Sequence, residues 1–189
     1  TVTGPTAASY LIVYPGGTTR PGASNLNFSV GQTIPNMVLV PLGPGNTVTF
    51  YNAAGVTDVI ADVLGYYRQG YGAGFIGVAP ARALDTRIGR GAPKAKLGAG
   101  RALTLTVPNL PAGTTAVALN VTVTGPTAAS YLIVYPGGTT RPGASNLNFS
   151  AGQTIPNMVL VPLGPGNTVT FYNAAGATDV IADVLGYYN

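Results

Sequence analysis

The chain has 189 residues, 46% hydrophobic and only 7% charged, with 27 Gly and 16 Pro and a net charge of +4. It is too apolar to stay disordered and too punctuated for long helices, so a β-rich core is expected. The chain lacks His, Cys and Glu, which removes imidazole and thiolate chemistry, disulfides and Cys/His metal clusters.

Residues 1–67 return at 122–188 with an offset of 121, and 65 of the 67 aligned residues are identical. Val30 becomes Ala151 and Val56 becomes Ala177. A period of this length suits a domain in a tandem array rather than one solenoid turn. Residues 75–121 precede the second copy, and nothing equivalent precedes Thr1. The organisation is therefore a truncated copy at 1–67, a glycine-rich linker at 68–74 and a complete repeat at 75–189. A copy without its front would expose strand edges and a core face. Three arrangements would explain this: a front that is trimmed or disordered, a front supplied by another chain, or a folding unit framed as 1–121. The glycines of 68–74 favour the 75–189 frame.

In the complete repeat, strands are predicted at 75–79, 101–107, 115–124, 130–135, 145–149, 157–163, 167–173 and 178–188. Val117, Leu119, Val121 and Val123 alternate with smaller or polar residues, as do Leu103, Leu105 and Val107, and Val169 and Phe171, giving strands with one wet face. Tyr131–Tyr135, Met158–Val161 and Val180–Leu185 are apolar on both faces and read as central strands. Pro136-Gly137-Gly138, Gly164-Pro165-Gly166-Asn167 and Asn173-Ala174-Ala175-Gly176 supply turns between them. Pro156 and Pro162 belong at strand ends or on an edge, because proline donates nothing to a ladder. The predicted fold is all-β, an antiparallel two-sheet sandwich of jelly-roll type with about eight strands per complete repeat.

The segment Pro80-Ala81-Arg82-Ala83-Leu84-Asp85-Thr86-Arg87 is the most distinctive. Together with Leu-Asn-Val-Thr-Val at 119–123, Ser-Asn-Leu-Asn-Phe at 145–149 and the closing Asp183-Val184-Leu185-Gly186-Tyr187-Tyr188, it resembles tandem β-domain repeats of secreted and surface proteins of actinobacteria. The resemblance covers 75–188 and, truncated, 1–67. It implies an accessory or structural module and carries over no binding residue.

Asp183 and its counterpart Asp62 lie on a strand face shared with apolar neighbours, where a carboxylate needs a cation. Arg82, Asp85, Arg87 and Asp183 are accordingly read as a structural network tying the front segment to the last strand. Asp62 has no such local partner, so its burial would require a compensating contact from elsewhere. A glycosidase pair of Asp179 and Asp183 is not expected, since the two would lie ~13 Å apart along an extended strand, beyond the usual ~5–9.5 Å.

Between Arg68 and Arg101 seven cations face one Asp, a local net of +6, while the rest of the chain carries −2. Arg90, Lys94, Lys96 and Tyr135 are the candidate contacts for a polyanion or glycan. No interleaved aromatics stack on bases, so nucleic acid is not an expected partner. No apolar run approaches the ~18 residues of a membrane span, and no signal peptide opens the chain, as in a mature or excised soluble fragment. Eleven Tyr and no Trp point to packing, with Tyr187 and Tyr188 placed to meet a following domain. The triplets beginning at Asn27, Asn120 and Asn148 fall in predicted strands and carry little weight as glycosylation sites. The expected role is a non-catalytic extracellular or cell-surface repeat, without cofactor, serving as spacer, stalk or fibre. Its expected partners are other copies of the repeat, within or between chains and with strand exchange. The alternative is a carbohydrate- or cell-wall-binding module acting by avidity.

Overall fold

The computed structural model describes residues 1–68 and 70–189 and divides into two compact units, Thr1–Ala61 and Asp62–Asn189. Gln69, within the predicted linker, lies outside the described residues. The first unit contains β1 (Val2–Thr3), β2 (Ser9–Pro15), β3 (Leu26–Phe28), β4 (Val48–Asn52) and β5 (Asp58–Val59). A single 3-10 turn at Pro44–Asn46 is the only helical element among the described residues. The second unit contains β6 (Phe75–Asp85), β7 (Arg101–Thr106), β8 (Ala116–Thr124), β9 (Ser130–Pro136), β10 (Leu147–Phe149), β11 (Ile155–Pro162), β12 (Thr168–Asn173) and β13 (Asp179–Tyr188).

The second unit is an antiparallel β-sandwich of two four-stranded sheets, ordered β10-β9-β12-β7 and β11-β8-β13-β6. Its strands pair from the outside inward, β6 with β13, β7 with β12, β8 with β11 and β9 with β10. This is a long hairpin rolled into two layers, the jelly-roll arrangement. Every predicted strand of 75–189 is present. The alternating residues Val117, Leu119, Val121 and Val123 of β8 are buried, and they meet Leu132 and Val134 of β9, Val169 and Phe171 of β12, and Val180 and Val184 of β13 in one core.

Two strand details depart from the sequence reading. Met158–Val161, read as central, lies in the outer strand β11, and Met158 is exposed there. Pro156 and Pro162 explain this, since their missing N–H groups are tolerated where no further strand has to pair. The strand starting at Phe75 continues past Pro80 to Asp85, because β6 is also an outer strand. Its register with β13 is broken between Gly77 and Ala81, so Pro80 falls in a bulge.

The first unit repeats part of this arrangement. The sheet β3-β2-β4 repeats the pairing of β10, β9 and β12, because all three partners lie inside residues 1–67. Asn25 Oδ1 accepts the Val13 N–H at 2.7 Å, as Asn146 Oδ1 accepts that of Val134. A small core of Val2, Leu11, Leu26 and Phe28 forms beneath. Where partners are missing, the strands stop. β5 pairs with the stub β1 through Val2↔Val59 and Thr3↔Asp58, the register of Val123↔Val180 and Thr124↔Asp179. A single bridge, Val2↔Ile34, repeats Val123↔Ile155. Residues 35–41 and 60–67, which match strand residues of β11 and β13, form no strand.

Candidate functional site

The predicted ionic residues converge where β6 meets β13. At the end of β6 the Asp85 N–H donates to Arg90 O at 2.9 Å and the Arg90 N–H returns to Asp85 O at 3.0 Å, closing a tight loop. Gly91 follows at φ +69, where a Cβ would lie 2.4 Å from Ala83 O, so only glycine fits. The loop aims Arg87 back at its own start. Asp85 Oδ1 accepts the Arg87 N–H at 3.1 Å and Nε at 2.9 Å, while Oδ2 accepts Arg87 Nη2 at 2.7 Å and Arg82 Nη1 at 2.9 Å. Arg82 turns its other edge to its cross-strand neighbour Asp183, with Nε–Oδ1 at 2.7 Å and Nη2–Oδ2 at 3.3 Å.

The structure thus brings Arg87, Asp85, Arg82 and Asp183 into one chain of two cations and two anions. Asp85 is only 1% exposed. The Arg87 side chain, with its backbone N–H and Arg82 adding to it, outweighs burial and lowers the Asp85 carboxyl to about 2. Arg82 is raised, first by its hydrogen bond to Asp183, and Arg87 is raised by Asp85. The network fastens the outer strand and leaves no unmatched charge within it.

A second ionic cluster escaped the sequence reading. Lys96 Nζ lies 2.8 Å from Asp179 Oδ2 and donates to Gly125 O at 2.7 Å. Asp179 Oδ1 accepts from Thr86 Oγ1 at 2.9 Å, and that hydroxyl oxygen accepts the Val180 N–H at 3.0 Å. Leu97, beside Lys96, is bridged to Thr178 by two backbone hydrogen bonds. The available signal was Asp179 itself, a second acid in the last strand for which the sequence reading named no cation.

Of the residues proposed for a polyanion or glycan, Lys96 is therefore engaged by a carboxylate, and Arg90 donates to Arg82 O at 3.2 Å. Lys94 is exposed on the same loop. Tyr135 is half-buried on β9 in the other sheet, opposite Thr170. No hydrogen bond, ion pair or ring contact links Tyr135 to these cations among the described residues. Other aromatics have defined partners. Arg141 stacks 3.9 Å over Tyr172, and Arg20 stacks 3.9 Å over Tyr51 in the first copy. Tyr188 lies 5.1 Å from Phe75 and shares a hydroxyl hydrogen bond with Tyr67; burial first, then that bond, pushes its phenol up.

Asp58 and Asp62 are exposed. The compensating contact expected for Asp62 does not arise, because the residue stays in water and needs no cation. Among the described residues no three acidic side chains come together as a metal site. Compared with known proteins, the chain matches no family model and no curated protein.

Proposed function

We propose that the chain is a non-catalytic extracellular repeat of a bacterial surface or secreted protein, serving as a spacer, stalk or fibre subunit. The observation that carries this reading is the 65-of-67 identity between copies, which suits serial modules presenting the same surfaces along an array. Two further features support it. The acids of the complete repeat are all matched to Arg or Lys within the fold, so its polar side chains serve the sandwich itself. The motifs at 80–87 and 183–188 also resemble repeats of actinobacterial surface proteins.

Negative-stain imaging of the native protein tests the proposal. Elongated or polymeric particles with a regular domain spacing are expected, and compact single particles would overturn it. Retention on cell-wall polysaccharide, lost in a Lys94→Ala variant, would instead establish a wall-binding module.

A further inference from the structure

We infer that the outer face of the sheet β10-β9-β12-β7, and the same face of β3-β2-β4 in the first unit, each bind an acidic polysaccharide, with tyrosines against the sugar rings and a stacked arginine on the carboxylate. The inference goes beyond the proposed spacer role, and neither depends on the other.

Alternation along β9 places the face. Leu132 and Val134 enter the core, so Tyr131, Ile133 and Tyr135 point the other way. Pairing with β12 sets Tyr172 opposite Ile133 and Thr170 opposite Tyr135, which brings three tyrosines onto one surface. Arg141, from the loop between β9 and β10, lies 3.9 Å over the Tyr172 ring. Ile133, in the middle of this group, is 2% exposed, while Tyr131 keeps 39%. The first unit builds the same surface by the same registers, with Ile12 opposite Tyr51, Tyr14 opposite Thr49 and Arg20 3.9 Å over Tyr51. Ile12 and Tyr10 repeat the two exposures, 2% and 39%.

The chemistry of the face selects its occupant. Arg141 and Arg20 are exposed, and among the described residues neither makes an ion pair or a side-chain hydrogen bond. The ion pairs of the fold use Arg82, Arg87 and Lys96, and no Asp lies on either tyrosine-bearing sheet. A guanidinium held on a ring, with its donors unmatched and no acid beside it, is prepared for an external carboxylate, because stacking orders the group before it binds. The hydroxyls of Tyr131, Tyr135 and Tyr172 likewise make no hydrogen bond among the described residues, and those of Tyr135 and Tyr172 reach solvent. A pyranose presents an apolar C–H face that suits the electron-rich face of a tyrosine, and hydroxyls that suit its O–H. One cation per face is too few for a nucleic acid strand, whose capture rests on several phosphate contacts. A uronic acid polymer, with a sugar ring and a carboxylate in every unit, matches the face in both respects.

The test uses the full chain, with polygalacturonate as the probe in affinity electrophoresis and a short galacturonate oligomer in calorimetry. Two oligomers per chain are expected, one for each face. Arg20→Gln combined with Arg141→Gln should weaken binding roughly tenfold or more. Both side chains are exposed, so this variant should unfold close to the parent midpoint. Lysine at the same two positions keeps the charge and loses the planar fork, and should weaken binding as well. Lys94→Ala should leave it unchanged. The fully methyl-esterified polymer, which keeps the rings and loses the charge, should bind far more weakly. No retention of polygalacturonate by the parent, or equal retention of the ester, would overturn the inference. So would retention that depends on Lys94 and survives loss of both arginines, or tighter capture of a single-stranded oligonucleotide through the same arginines.

Discussion

The ring of Phe75 occupies the space that a Cβ on Gly186 would need, with its nearest atom 2.4 Å away and the backbone Ile76 O at 2.6 Å. Glycine in the closing Gly-Tyr-Tyr is thus a packing requirement of the β6–β13 pair. Gly186→Ala should destabilise the second unit by roughly 1–3 kcal/mol, the usual cost of overpacking. The identical change at Gly65, which faces open space, should stay within about 0.5 kcal/mol. Urea unfolding of the two variants checks the contrast.

Asp85 should govern acid stability. Its folded carboxyl lies at about 2, against an ordinary value of 3.8, so the stabilisation is fully present above pH ~4 and is lost as pH falls through ~2. That difference corresponds to about 2 kcal/mol at neutral pH. Asp85→Asn should remove it and flatten the dependence of stability on pH between ~4 and ~2. Thermal unfolding across that range, for the parent and the variant, provides the measurement.

The sandwich was legible because its strands carry their own evidence. Val117, Leu119, Val121 and Val123 mark one face by alternation alone, and the glycine and proline turns set the intervals. The Arg82–Asp183 pair was legible for a different reason, since an acid among apolar strand residues requires a cation. Lys96–Asp179 was not, because Lys96 stands in a loop with no strand pattern, which the Leu97–Thr178 bridge brings beside β13. The edge position of β11 was likewise hidden behind four apolar residues, and its prolines were the better guide. Most instructive are residues 60–67, whose sequence equals that of 181–188 and which form no strand. Strand formation there depends on β6 and β8, partners that a local reading of either copy does not contain.

Paired substitutions at Phe50 and Phe171 measure how much of the core depends on those partners. Phe171 is fully buried between β9 and β7, so Phe171→Ala should cost roughly 3–5 kcal/mol. Phe50 keeps 44% of its surface in water, and Phe50→Ala should cost about 1 kcal/mol or less. Equal costs in denaturant unfolding would show that Phe50 is covered in solution.

Amide exchange should separate the copies most directly. Residues 155–162 form β11, an outer strand in which alternate residues turn their N–H groups to β8 and Val159 and Val161 are buried in the main core. Residues 34–41 have the same sequence, yet only Ile34 is bridged, its N–H donating to Val2 O at 3.1 Å. Amides at 37–40 should therefore exchange at nearly open-chain rates, with those β11 amides that bond to β8 slower by orders of magnitude. Ile34 should fall between them. NMR can follow both sets in one sample, because identical residues in a paired and an unpaired backbone give separate signals. Comparable protection at 37–40 and in β11 would mean that the first copy has acquired the partner strand it lacks here.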